Sequence, residues 1–248
     1  MKIRLSLLQH PRTTGDRDYP SADLIVFPEL VDGGYAALAA GHATHRPGDE
    51  YLSSFSRRTA DNDVAIVAGS VRLKNHRGDC TNTSLTYQHG KCIHRYDKIH
   101  LFRPTGDHKY FKPGRKADAF WVSFGPKRIR IGIALCFDLR FPELIRALAF
   151  QRMDLLIVPA RWPSIRSEAW KTLLRARAIE NQVFVAGCNA AGPEGGPSFV
   201  FGPTGAPIPA FVRGAGSTGR SYTLDFDESV RARQLYNSLR EAKWFGRK

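Results

Sequence analysis

Three side chains of this 248-residue chain have types and positions that could together perform acyl-transfer chemistry. Glu29 ends the apolar run LIVFP, Lys98 ends IHRYD and opens a long connection, and Cys136 ends IRIGIAL. Each lies at the carboxyl end of an expected strand, where α/β proteins gather ligands and nucleophiles in the crevice outside the sheet. A carboxylate beside a thiol can take its proton and return it to a leaving group. An ammonium beside both lowers the thiol's pKa and steadies an oxyanion. Plainer readings exist. Cysteine is among the most buried residue types, and Glu29 and Lys98 could form an ion pair or stand apart as surface charges. Spacing alone leaves these alternatives open.

The elements that must position these residues alternate in type. Residues 3–8 and 24–27 read as strands, 50–62 as a helix with Tyr51, Leu52 and Phe55 on one face, and 64–72 as a β-branched strand. Residues 85–88 and 92–96 flank His89–Gly90, a hairpin signal. Residues 98–116 are punctuated by Pro and Gly without periodicity and read as a loop, of a length that is usually functional or disordered. Strands are expected at 121–124, 129–135, 155–158 and 183–188, with helices at 141–152 and 167–181. Ser167 and Glu168 read as a capped acidic start to the second helix, and Arg175 and Arg177 suit its carboxyl end. Short strands at 199–201 and 221–226 and a helix at 227–239 complete the chain. With no repeat and no linker, residues 1–248 read as one α/β domain.

Composition removes several classes of function. Hydrophobic content of 42% with 24% charged residues is that of an ordinary globular protein. No apolar run approaches the roughly 20 residues of a bilayer span, and MKIRLSLLQHPR reads as a first strand and not a signal peptide. A cytoplasmic protein is expected. Cys80, Cys92, Cys136 and Cys188 are widely spaced, and the eight histidines form no HExxH or Cys/His cluster, so neither disulfides nor a metal are expected. The net charge of +14 is dispersed, apart from Arg231, Arg233, Arg240, Lys243, Arg247 and Lys248 near the end. Without an accompanying nucleic-acid motif this reads as a solvated basic surface. Gly214-Ala-Gly216-Ser-Thr-Gly219 matches GxGxxG, but a strand-like segment follows where the dinucleotide fingerprint needs a helix. It reads as a turn, as does FRPTG at 102–106.

FPEL with Glu29, YDKIHLF with Lys98 and ALCFDLRFPEL with Cys136 occur in an order that resembles the nitrilase superfamily of carbon–nitrogen hydrolases. The resemblance runs across nearly the whole chain, with VPARWP at 158–163, RARAIENQVFVAGCN at 175–189 and PTG at 203–205. The CFDLRFPEL and RARAIENQ forms look most like the omega-amidase branch. The resemblance implies a four-layer αββα sandwich, a homodimer or larger assembly with the 141–152 helix near the interface, and no metal or organic cofactor. It implies that Glu29 is the general base, Cys136 the nucleophile, and Lys98 with the Phe137 N–H the oxyanion holders. Family members usually carry a second glutamate after the lysine. The matching position is Asp107, whose carboxylate reaches one methylene less.

Omega-amidases act on short dicarboxylate monoamides such as 2-oxoglutaramate, so the resemblance implies a cation for the free carboxylate. Arg161 is the first candidate, Arg103 and Arg140 the second, with Phe102, Phe137 and Trp162 as pocket walls. Glu143 reads as structural and as a partner for Arg140. Three rivals remain: an amidase or carbamoylase with another acyl group, a weakened paralogue acting by binding, and, on charge alone, a nucleic-acid-associated protein.

Overall fold

The run LLIVPA shows how this chain builds its layers. A strand that is apolar at every position is buried on both faces. In the computed structural model, which describes residues 1–9, 21–41, 44–61, 63–211 and 219–243, all six of these residues are buried. Leu155 and Ile157 face one core, and Leu156, Val158 and Ala160 face another, as the two-residue period of a strand requires.

The amino-terminal half contains β1 (Lys2–Leu8), β2 (Leu24–Val26), α1 (Gly34–Ala39), α2 (Glu50–Ala60), β3 (Ala65–Val67), β4 (Val71–Lys74), β5 (Cys80–Gln88) and β6 (Lys91–Asp97). A 3-10 turn (Arg103–Thr105), α3 (Asp107–Tyr110), β7 (Phe120–Phe124), β8 (Lys127–Ile133) and a second 3-10 turn (Cys136–Arg140) follow. Then come α4 (Pro142–Phe150), β9 (Leu155–Ala160), a third 3-10 turn (Ser164–Arg166), α5 (Ser167–Asn181) and β10 (Phe184–Asn189). The last elements are β11 (Phe199–Phe201), β12 (Gly219–Asp225), α6 (Asp227–Leu235) and α7 (Ser238–Glu241).

The strands form two sheets. One has seven strands in the order β12-β1-β2-β3-β5-β4, with β6 paired to β5; the other has the order β11-β10-β9-β8-β7. Leu5, Leu7, Val26 and Val67 of the first sheet meet Ile129, Ile131, Ile157 and Phe184 of the second in the central core. Leu52 and Phe55 of α2 cover the outer face of the first sheet. Leu144 and Leu148 of α4, with Trp170 and Leu174 of α5, cover that of the second. The architecture is the expected αββα sandwich. Each sheet contains a run of parallel strands, β1-β2-β3 in the first and β8-β9-β10 in the second.

Four local expectations need correction. The single strand expected at 64–72 is broken into β3 and β4. Gly69 has φ +34, and a Cβ there would lie 1.8 Å from the Pro28 carbonyl oxygen, so only glycine permits this approach. The broken segment is useful: Ser70 receives the Leu30 N–H on its hydroxyl at 3.0 Å and the Val31 N–H on its carbonyl at 2.8 Å, fixing the backbone just beyond Glu29. The 98–116 loop contains a helical turn, α3. The helix expected at 227–239 ends at Leu235, because the Gln182 amide donates to the Ala232 and Tyr236 carbonyls and accepts the Ser238 N–H. Finally, α5 has the expected bounds, but Arg166 occupies its N-cap without a side-chain bond, and Ser167 is the first helical residue. Arg177 turns inward to hold the Leu139 carbonyl, through Nε at 3.1 Å and a second nitrogen at 3.0 Å. Gly214, Gly216, Arg247 and Lys248 lie outside the described residues, whereas Gly219 opens β12.

The connection between α1 and α2 is clasped by a histidine. His45 Nδ1 contacts Asp49 Oδ2 at 2.7 Å. Its Nε2 lies 3.0 Å from Asp32 Oδ2, within ion-pair range although poorly aligned for a hydrogen bond. Burial works against the charged ring, yet the close contacts and charge of the two aspartates leave its pKa raised. A raised folded-state pKa gives stability that is fully present below the ordinary histidine value of about 6.5 and is lost as pH rises through the folded value. The melting temperature of His45→Gln should therefore lie a few degrees below that of the parent at about pH 5.5 and converge with it as pH rises. Parallel melting curves across that range would contradict the clasp.

Candidate active site

Glu29, Lys98 and Cys136 each leave a different strand, β2, β6 and β8, and the sandwich brings them to one place. Lys98 and Glu29 are fully buried and 2.8 Å apart (Nζ to Oε1), and Lys98 Nζ lies 2.8 Å from Asp107 Oδ2 as well. Two carboxylates and one ammonium taken out of water are tolerable only if their remaining lone pairs are satisfied. They are. Asn82 Nδ2 donates to Glu29 Oε1 at 2.9 Å, and the Arg161 N–H donates to Oε2 at 3.2 Å. Asp107 accepts the Phe102 N–H at 2.9 Å, the Tyr35 hydroxyl at 2.8 Å and the Thr105 hydroxyl at 3.1 Å.

Cys136 has φ 47, a left-handed conformation that is costly for a side chain with a Cβ and is found at constrained functional turns. What holds it there is Asp138, fully buried two residues later. Its carboxylate accepts the Leu135 N–H at 3.0 Å, the His100 N–H at 2.8 Å and the Tyr96 hydroxyl at 2.7 Å, and contacts His100 Nδ1 at 2.8 Å. Tyr96 and His100 flank Lys98, so one carboxylate ties the cysteine turn to the lysine strand. Asp138 escapes sequence reasoning because two of its three partner residues, Tyr96 and His100, come from a segment about 40 residues earlier in the chain; the only signal is the acid within CFDLR.

The electrostatics set the protonation states. Burial, followed by the charge of Glu29, pushes the Cys136 thiol well above its ordinary pKa. It is therefore neutral at physiological pH and must lose its proton to act. Burial also works against the Lys98 charge, but Glu29, Tyr35, Cys136 and Asp107 around it carry its pKa well above the usual lysine value. Lys98 thus keeps three N–H donors, of which Glu29 and Asp107 each take one. One is left for a developing oxyanion. Burial raises Tyr35 as well, so it stays a phenol that donates to Asp107. Among the described residues no group of three or more His, Cys, Asp or Glu is placed to hold a metal ion.

Cys136 opens into a cavity of about 350 Å³ whose lining includes Tyr35, Phe102, Phe137, Arg140, Trp162 and Arg166. The three aromatic residues expected as walls are all there. Arg161 also lines it, but its guanidinium is committed: Nε holds the Glu29 carbonyl at 2.8 Å, and its two terminal nitrogens hold the Leu30 carbonyl at 2.9 Å and Glu194 at 3.1 Å. Glu194 also accepts the Tyr35 and Ala36 N–H groups, each at 3.2 Å. The fit is close, since a Cβ on Gly34 would lie 2.5 Å from both Arg161 and Glu194. Arg103 is exposed and outside the cavity lining, and the exposed Glu143 makes no ion pair with Arg140, which instead lies 5.0 Å from the Trp162 ring.

Asp107, the first residue of α3, reaches Lys98 at 2.8 Å in spite of its shorter side chain. Both of its oxygens are engaged within a fully buried site, where an added methylene typically costs about 1–3 kcal/mol. We therefore expect Asp107→Glu to lower kcat/KM on an amide substrate by on the order of 10²-fold, through displacement of Lys98. A glutamate variant as active as the parent would show that the site is not tailored to aspartate.

A carbon-nitrogen hydrolase family model matches residues 14–220. The chain is 39% identical over 174 residues to an omega-amidase, YafV, of Escherichia coli, covering 70% of this chain and 64% of that protein. It thus spans somewhat less than two thirds of that relative's length. It is 31% identical over 224 residues to a 2-oxoglutaramate amidase of Bacillus subtilis, covering 88% of this chain and 84% of that one. Among solved structures, a CN-hydrolase superfamily protein of Xanthomonas campestris, with an arsenic adduct in its active site, superposes with a TM-score of 0.83 at 28% identity over the full length of both.

Proposed function

The chain belongs to the carbon-nitrogen hydrolase family, and from that premise we propose that it hydrolyses the side-chain amide of small dicarboxylate monoamides, releasing ammonia through a thioester on Cys136. The observation that carries this reading is the single buried cluster in which one lysine is shared by Glu29 and Asp107 beside a neutral thiol. Glu29 takes the Cys136 proton as sulfur attacks the amide carbon. The carbonyl oxygen becomes an oxyanion facing the remaining Lys98 N–H and the Phe137 N–H. As the tetrahedral intermediate collapses, the C–N bond breaks and Glu29 gives its proton to the departing nitrogen. A water then attacks the thioester, Glu29 takes a proton from it, and the thiol leaves with that proton to restore the starting state.

Substrate class rests on the cavity. At about 350 Å³ it lies at the small end of ligand sites, suited to an acyl group of a few carbons. Glu194, an acidic residue of the lining, is paired with Arg161, while Arg140 has no ion-pair partner among the described residues and is our choice to receive the substrate's free carboxylate. The 2-oxoglutaramate amidase relative supports this choice of substrate. The test is ammonia release from succinamate and 2-oxoglutaramate beside the neutral butyramide. Turnover favouring the two acids supports the reading; turnover of butyramide or a carbamoyl amine alone would favour the wider amidase class. We further propose a cytoplasmic homodimer, with α4 near its interface, which sedimentation at two protein concentrations would test.

A further inference from the structure

Of the three arginines that line the cavity, Arg161 is bound into the fold and Arg140 is assigned to the substrate, which leaves Arg166. Arg166 ends the 3-10 turn before α5, and its backbone is fixed because Trp162 Nε1 donates to its carbonyl at 3.0 Å. Its side chain lies 5.4 Å from the Phe102 ring, and Phe102 packs at 4.8 Å on Phe137, the residue after the nucleophile. Among the described residues this guanidinium has no hydrogen bond or ion pair, although five N–H donors make arginine well suited to planar acids. Arg140 repeats the arrangement on the Trp162 ring at 5.0 Å. Two guanidiniums without an ion pair among the described residues thus rest on two aromatic walls of one small cavity that contains the thiol. The aromatic faces hold them in place by cation–π attraction while leaving their N–H edges free.

We infer that Arg166 is a specificity-determining residue that binds the acyl group's carboxylate together with Arg140. The inference rests on the carboxylate-binding reading above. Two cations bearing on one anion select acyl groups of net negative charge and disfavour those that carry an α-ammonium, because the ammonium would face unpaired positive charge. A structural role for Arg166 would not produce this charge selectivity. Among the described residues its side chain makes no hydrogen bond or ion pair, so replacing it leaves the helix start to its backbone.

The experiment is protection of Cys136 from iodoacetamide, followed by mass analysis of its peptide, with succinate or neutral butyramide as the protecting ligand. It is run on the parent protein, Arg166→Gln and Arg166→Lys. A charge-assisted contact at an exposed guanidinium is screened by solvent, so Arg166→Gln is expected to lower the preference for succinate over butyramide by about three- to fivefold, with Arg166→Lys between the two. Equal preference in the parent and Arg166→Gln would overturn the role of Arg166 and leave the carboxylate reading standing. If succinate does not protect even the parent, the carboxylate reading fails and the inference with it.

Discussion

Cys136→Ala is expected to remove amide turnover by on the order of 10⁴-fold or more while leaving the fold intact. The side chain is the only group at its turn that can form the covalent intermediate. Alanine keeps the Cβ, so the cost of the left-handed backbone at φ 47 is unchanged. The Asp138 carboxylate that pins this turn bonds to Leu135, Tyr96 and His100 and not to the thiol. Ammonia release from succinamate, read beside a thermal melt, separates loss of chemistry from loss of structure. Residual activity within tenfold of the parent would mean that the nucleophile lies elsewhere.

Glu29→Gln is expected to lower kcat by about 10³-fold or more, within the upper part of what a general acid–base contributes. Two causes act together. The amide cannot take the thiol's proton, and Cys136 is a neutral thiol that needs this help because burial, the larger cause of its high pKa, persists in the variant. Moreover, every partner of the Glu29 carboxylate is a donor: Lys98, Asn82 and the Arg161 N–H. A glutamine must turn an NH₂ toward one of them, and Lys98 loses one of its two buried counter-charges. The variant should therefore melt lower than Cys136→Ala. A Glu29→Gln protein with near-parental kcat would remove Glu29 from the proton relay.

What the sequence revealed follows from how local each signal is. The alternation of apolar strands with amphipathic helices is a local pattern, and α5 has the expected bounds because its face of Trp170, Leu174 and Ala178 repeats at helical spacing. The hairpin at His89–Gly90 was legible because both residues take positive φ, 49 and 73, as that turn requires. Glu29, Lys98 and Cys136 could be singled out as strand-end residues, but their convergence depends on how two sheets stack. The break at Gly69 depends on the Pro28 carbonyl, which is distant in sequence. Asp138 and Glu194 join segments about 40 and 160 residues apart respectively, so no window of sequence shows their roles. Arg161 was the natural choice for a substrate cation by position, yet its guanidinium is held by the backbone of Glu29 and Leu30 and by Glu194. The available cations are its neighbours, Arg140 and Arg166.

An acyl group is expected to pass through Cys136. Intact-mass analysis of protein quenched during turnover of succinamate, followed by peptide mapping, tests it most directly. A succinyl adduct is expected on the Cys136 peptide in the parent protein, and none in Cys136→Ala. Steady ammonia release with no adduct on Cys136, or an adduct on Cys80, Cys92 or Cys188 instead, would contradict it.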